Sequence, residues 1–173
     1  AEWYLKAEIY ERAEYHLAQI DKNAPVYLRG QLVLLALHEQ NGQIEQAILK
    51  VKSKLAKNDK LSAGEKQQRA LLAQAGGNIL RRADRCSEAL AFFQQALAYG
   101  MENYRLYRNT GICFEQTGRD LQAEKALLKA IELNPDDAIA LNYLGYWWAD
   151  EDRHLKKAIT FIQRAVQLQP YSG

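Results

Sequence analysis

Apolar residues along this chain fall at helical spacing, and the groups they form recur. Between Tyr104 and Pro170 one order of residue types occurs twice. The first copy runs Tyr107, Gly111, Phe114, Gly118, Ala123, Leu127, Ala130, Pro135; the second runs Leu141, Gly145, Trp148, Ala158, Ile162, Ala165, Pro170. Gly111 and Gly145 are 34 residues apart, and the pairs Ala123–Ala158, Ala130–Ala165 and Pro135–Pro170 are each 35 apart. A fixed period in this range marks stacked supersecondary units. No stretch alternates with a period of two, and the chain has only 3 prolines, so the units read as helix pairs.

The spacing has a physical basis. Two antiparallel helices cannot bury their apolar stripes alone, so each pair must lie against the next. Gly145 and Ala158 are predicted where the helices of one pair cross, with Leu144, Trp148 and Ile162 filling the space around them. Pro135 and Pro170 end their units because proline cannot continue a helix. Weaker copies precede these two. Ala73, Gly76, Gly77, Leu80, Ala89, Phe93 and Ala96 stand in register with them, and Gly77 lies 34 residues before Gly111. The predicted division is a partial repeat over 1–26, repeats over 27–61, 70–103, 104–137 and 138–172, and an insertion over 62–69. In the repeat at 27–61, Gln31 stands where a large apolar residue is expected and Leu35 at the glycine position, which predicts a wider helix crossing. Ser62-Ala63-Gly64-Glu65 is a capping-box signal, so a first helix longer than usual is expected from Ala63 to about Ala83.

These residues carry a family resemblance. Leu141-x2-Leu144-Gly145-x2-Trp148, Ala158-x3-Ile162 and Pro170 resemble the tetratricopeptide repeat (TPR) pattern W-x2-L-G-x2-Y, A-x3-F, P. Tyr107-x2-Thr110-Gly111-x2-Phe114, Ala123-x3-Leu127 and Pro135 match it with one polar substitution. The resemblance implies an all-α, right-handed α-solenoid of antiparallel helix pairs, the TPR superhelix, with about 4.5 repeats. The segment Leu141–Asp150, with IQRAVQLQP after it, is similar to TPR-array proteins common in proteobacteria. Many of those are exported, so the resemblance implies a bacterial periplasmic or membrane-associated setting, with the cytoplasm as the alternative. The only methionine is Met101 and the repeats run to the last residues, so the expectation is a fragment of a longer array.

Composition changes this picture little. The 173 residues carry 25% charged side chains and a formal net charge of +2, so bulk charge argues for neither nucleic acid nor a membrane surface. No apolar run reaches the ~18 residues of a membrane span. Cys86 and Cys113 are too few for a disulfide framework and lack CxxC spacing. They are expected as free thiols on helices, a bridge between neighbouring repeats being the alternative.

No convergent reactive set emerges, so no catalytic residue, metal site or cofactor is expected. His16, His38 and His154 fall in different repeats, each expected at a helix surface or turn. Asp136-Asp137 and Asp150–Asp152 sit at predicted helix starts and turns, where they favour the helix dipole. What remains is a surface. The TPR resemblance implies that the first helix of each pair lines a concave face that holds a peptide or partner helix. By helical phase, the residues there not spent on packing include Gln74, Asn78, Arg81 and Arg82; Arg105, Arg108, Ile112 and Glu115; and Ile139, Asn142 and Tyr146. Arginine forks grip carboxylates and asparagine amides bond an extended backbone, so an acidic or C-terminal peptide segment is the expected partner. The alternative is that these arginines are solvated or pair with Glu102, Glu115 and Asp120. A chaperone-tail clamp is not expected, because Leu32, Ala36 and Ile112 occupy places that the resemblance assigns to lysine and asparagine. The function expected is a non-catalytic scaffold or adaptor; the alternative is a homo-oligomer assembled through its terminal repeats, with Leu155, Ile159, Ile162 and Val166 partly exposed.

Overall fold

The computed structural model describes residues 11–17, 19–20, 25–56 and 61–169, and these hold helices and no strand. Helices α1 (Pro25–Gln40), α2 (Ile44–Leu55), α3 (Ala63–Arg82), α4 (Cys86–Ala98), α5 (Tyr104–Gln116), α6 (Asp120–Leu133), α7 (Ala138–Asp150) and α8 (Leu155–Leu168) follow one another along the chain. Residues 11–17 are helical as well. The readings that fall on 1–10, 57–60 and 170–173, Pro170 included, lie outside the described residues. The fold is all-α, built of antiparallel helix pairs of the α-solenoid class.

The turns after α1, α3, α5 and α7 close in one way. In each, two backbone N–H groups reach back to carbonyls of the finished helix: Gly42 to Glu39 and Gln43 to His38, Asp84 to Arg81 and Arg85 to Leu80, Gly118 to Glu115 and Arg119 to Phe114, Asp152 to Ala149 and Arg153 to Trp148. This is the Schellman arrangement, and it needs one left-handed residue. Gly42 and Gly118 supply it at φ 71° and 70°; Asp84 and Asp152 supply it at 56° and 53°. Aspartate tolerates that region better than most side chains because its carboxylate bonds locally.

Contacts divide the molecule into two compact units, one drawn from Ala1–Arg85 with Gln94–Met101, the other from Cys86–Phe93 with Glu102–Gly173. In the first, α1 packs on α2, and both pack on α3. Leu34, Leu35, Ile48, Val51, Leu72, Ile79 and Leu80 are buried there. The long α3 starts where the capping box placed it. The Ser62 N–H donates to Glu65 Oε2 at 2.8 Å, and the Glu65 N–H donates to Ser62 Oγ at 3.3 Å. The Ser62 O–H also donates to Glu65 Oε2 at 2.7 Å, and this bond first, then the one from the Ser62 N–H, holds the Glu65 pKa below the ordinary glutamate value. His38 departs from expectation. It is buried, with Nδ1 2.9 Å from Gln43 Oε1, because the end of α1 turns it under the turn.

In the second unit α5 packs on α6, α7 on α8, and α6 on α7. The small residues lie at the crossings, as the period requires. A Cβ at Gly111 would meet the Ala123 carbonyl oxygen at 3.1 Å and the Leu127 side chain at 2.7 Å. One at Gly145 would meet the Ala158 oxygen at 3.1 Å and Ile162 Cγ1 at 2.8 Å. Trp148 is 1% exposed beside Ile112, Leu127, Leu144 and Ala158. Its ring stacks on Phe161 at 5.5 Å, and its Nε1–H donates to Glu124 at 3.2 Å.

Cys86 and Cys113 are not free thiols. They form a disulfide that joins the first residue of α4 to α5. Both cysteines are buried, and the packing of these helices brings their Cα atoms to 4.8 Å, within bridging range.

Candidate partner-binding surface

Within the first unit, α3 carries Gln74, Asn78, Arg81 and Arg82 on its last turns. The first three are half-buried and each already has an interaction partner. Arg82 is exposed, and its guanidinium forks onto Glu39 of α1, Nε to Oε1 at 2.5 Å and Nη2 to Oε2 at 2.6 Å. Arg82 thus grips a carboxylate that α1 provides. Arg85, one turn on, is paired through Nη1 with Glu45 of α2.

Within the second unit, α5 carries Arg105 and Arg108, and the structure gives them different tasks. Arg105 is exposed; its Nε–H donates to Tyr104 Oη at 3.0 Å, and its guanidinium carbon lies 5.4 Å from the Tyr104 ring centre. Arg108 is turned inward. Its Nη1 donates to both oxygens of Asp137, at 2.8 and 3.0 Å, with the two side chains only 14% and 4% exposed. A charge pair this buried is costly to break from one side, so Arg108 ties α5 to the start of α7. Asp137 does more than favour a helix dipole: besides this pair it caps α7, accepting the Ala140 N–H at 3.5 Å. The partners found for Arg82 and Arg108 are Glu39 and Asp137, not the Glu102, Glu115 or Asp120 considered from sequence. Tyr104, which lies between Arg105 and Arg108, was legible as an aromatic one and four residues before them.

Ile112 departs from expectation. It was assigned to the surface by phase, but it is buried against Leu144 and Trp148, since α7 covers that side of α5. Glu115 accepts the Tyr143 O–H at 2.6 Å. On α7 the phase holds: Ile139, Asn142 and Tyr146 form one exposed stripe, with Tyr146 58% exposed. Ile139 and Asn142 also border a small cleft of about 210 Å³ between α7 and α8. Among the described residues no group of three His, Cys, Asp or Glu side chains could hold a metal ion, and no helix is long and apolar enough to cross a membrane.

Comparison with known proteins agrees with the helix pairs. The tetratricopeptide repeat family model matches residues 75–129 and 121–173, together more than half of the chain. Among curated proteins, the chain is 29% identical over 93 residues to a probable UDP-N-acetylglucosamine–peptide N-acetylglucosaminyltransferase SPINDLY of Petunia hybrida, covering 54% of this chain and 10% of that protein. It is 28% identical over 81 residues to anaphase-promoting complex subunit 3 of Schizosaccharomyces pombe, covering 47% of this chain and 12% of that protein. The chain thus spans about a tenth of the length of the curated relatives it matches. Among solved structures, MamA of Desulfovibrio magneticus RS-1 superposes with a TM-score of 0.68 at 18% identity, covering 97% of this chain and 95% of that one. YrrB, described as a TPR protein with an unusual peptide-binding site, superposes with a TM-score of 0.52 at 19% identity, covering 83% of this chain and 87% of that one. With Gly111 and Gly145 at the helix crossings and the family model matching more than half of the chain, the chain belongs to the tetratricopeptide repeat family.

Proposed function

We propose that this chain is a non-catalytic interaction module that holds an acidic or C-terminal peptide segment against the first helices of its pairs. The TPR fold is a protein–protein interaction scaffold, and the SPINDLY match covers a small part of that enzyme. The observation that carries the reading is the division of labour on α5 and α7. Arg108, Ile112 and Glu115 are taken up by packing and pairing, whereas Arg105, Asn142 and Tyr146 stay exposed. Arg105 offers a cation already steadied by Tyr104, Asn142 an amide for an extended backbone, and Tyr146 a flat ring. YrrB, a structural relative, has a peptide-binding site by its own description.

Peptides selected from a random display library should be enriched in Asp and Glu. Their affinity should fall about tenfold or more in an Arg105→Ala/Tyr146→Ala variant, by the usual worth of exposed charge-assisted and aromatic contacts at an interface. Unchanged affinity overturns the assignment. Arg108 is unsuitable for this test because its loss would leave Asp137 buried and unpaired. A second reading, self-association, is favoured by Leu155, Ile159 and Val166 standing exposed on α8. Light scattering across concentrations separates the two, since a monomer throughout removes it.

The Cys86–Cys113 bridge bears on the setting. Such bridges persist in oxidising compartments and are rare where thiol reductants are abundant. The bridge supports an extracytoplasmic place of work.

A further inference from the structure

A cavity of about 530 Å³ opens between α1, α2 and the helical residues 11–17. Its apolar wall is Leu17 and Leu34; its polar wall is Tyr27, Gln31, Lys50 and Lys54, with Glu14 at the edge. None of the residues of the proposed peptide surface lines it.

The cavity has a cause in the repeat register. Ala47 corresponds to Ala158, and both α2 and α8 begin three residues earlier, at Ile44 and Leu155. Counting from there, Lys50 corresponds to Phe161 and Lys54 to Ala165, while Gln31 of α1 corresponds to Leu141 of α7. In the α7–α8 pair those three positions form an apolar cluster: Leu141 and Ala165 are buried together, with Phe161 packed on them. The alanine position is filled by Ala96, Ala130 and Ala165 elsewhere, all buried. In the α1–α2 pair a glutamine and two lysines replace the cluster, and the space it would fill stays open.

A pair of half-buried lysines one turn apart is an arrangement that packing alone does not favour, since like charges at this spacing repel. Lys50 is paired with Glu14. Its ammonium nevertheless titrates below the ordinary lysine value, first through burial and then through the nearby charge of Lys54. Lys54 Nζ donates to Tyr27 Oη at 3.0 Å and sits 5.4 Å from the ring centre. An ammonium has three donors and a phenol that accepts still has its own proton to give. Among the described residues the wall therefore carries two ammonium groups and one carboxylate, with convergent donors on Lys54 and Tyr27, beside Leu17 and Leu34.

The geometry points to a binding site for a singly charged carboxylate on a short apolar group, its oxygens on Lys54, Tyr27 and Gln31 and its apolar part against Leu17 and Leu34. Glu14 selects against a dianion, because its carboxylate repels a second negative charge at the same wall. A free small acid and the end of a peptide share this chemistry, and the probes tell them apart.

The test is titration of the ¹⁵N-labelled chain with N-acetyl-leucine, with an acetylated tripeptide ending in leucine, and with the amide of each. Saturable shifts centred on Tyr27, Gln31 and Leu34 are expected for acids and not for amides. Binding of N-acetyl-leucine identifies a small-acid site; binding of the tripeptide acid alone identifies a chain terminus. Lys54→Ala installs the alanine the other pairs use, so it folds; it should weaken binding about tenfold or more, the usual worth of a charged hydrogen bond. Gln31→Leu should abolish binding and raise the melting temperature by filling the space. Binding by neither acid, equal binding of acids and amides, or unchanged binding in both variants overturns the proposal. Because no residue is shared with the peptide surface on α5 and α7, failure here leaves that reading standing, and the reverse.

Discussion

The α1–α2 pair and the α7–α8 pair are built on one plan and finished differently. Both close their turn with the same two backbone hydrogen bonds around a left-handed residue. Both bury an alanine on the second helix, Ala47 and Ala158, at the crossing. The last pair then fills its interior with Leu141, Trp148, Phe161 and Ala165 around Gly145, which lets α8 come close enough to touch its backbone. In the first pair Leu35 stands at that glycine position and is itself buried. A whole side chain is accommodated where the last pair has no room for a Cβ, so the backbones stand further apart. With Gln31, Lys50 and Lys54 around it, the interior is left open. The difference teaches that turn chemistry and the crossing alanine suffice to keep a helix pair in register. The remaining interior positions are then free to depart from close packing, and departures of this kind are where function is expected.

The largest effect that sharpens this contrast comes from the bridge. The disulfide lies wholly within the second unit, and the chain has no other cysteines. It closes a loop of 27 residues, for which chain entropy gives about 3.5 kcal/mol. Reduction, or Cys86→Ser with Cys113→Ser, should lower unfolding stability by that order in urea titration. Hydrogen exchange should quicken in α5–α8 more than in α1–α2. Equal loss of protection in both regions would break the view that they are held by separate means.

Exchanging interiors should cost less. Leu141→Gln gives the last pair the glutamine of the first. It removes a buried leucine and leaves an amide among the apolar side chains of Ala138, Ala165 and Ile131. Lost burial and the stranded amide together should cost about 2–3 kcal/mol. A shift of the urea midpoint worth less than about 0.5 kcal/mol, the size of a surface change, would show that the last pair tolerates the open interior too, and the contrast would fall.

Much of this was legible in the chain itself. Gly111 and Gly145 announce the crossings because a Cβ at either would lie 3.1 Å from the carbonyl oxygen of Ala123 or Ala158. Ser62 and Glu65 announce the start of α3 because their bonds are local. What stayed hidden depends on neighbours distant in sequence. Ile112 shares a helical phase with surface residues, and only the arrival of α7 buries it. Arg108 and Arg105 look alike until Asp137, 29 positions beyond Arg108, claims one of them. The disulfide is invisible to Cys spacing, because it depends on where α4 and α5 bring their backbones. The Gln31 anomaly was visible, but that Lys50 and Lys54 share its space required the pairing of α1 with α2.

The smallest effect concerns the turn the two pairs share. Gly42 reaches φ 71° at no steric cost, whereas Asp152 is held at 53°. For a side-chain residue this region costs about 1–2 kcal/mol, less for aspartate. Asp152→Gly removes that strain but gives the unfolded chain more freedom, which costs about 0.4–1 kcal/mol. The difference leaves a net gain near 0.5 kcal/mol, or about 1–2 °C in melting temperature for a chain of this size. Gly42→Ala should move the first pair the other way, by about 1 kcal/mol, because alanine has no side-chain oxygen to bond locally. If Asp152→Gly instead destabilised the chain, the aspartate would be contributing a stabilising interaction at that turn beyond filling a left-handed position. The two turns would then differ in kind as their interiors do.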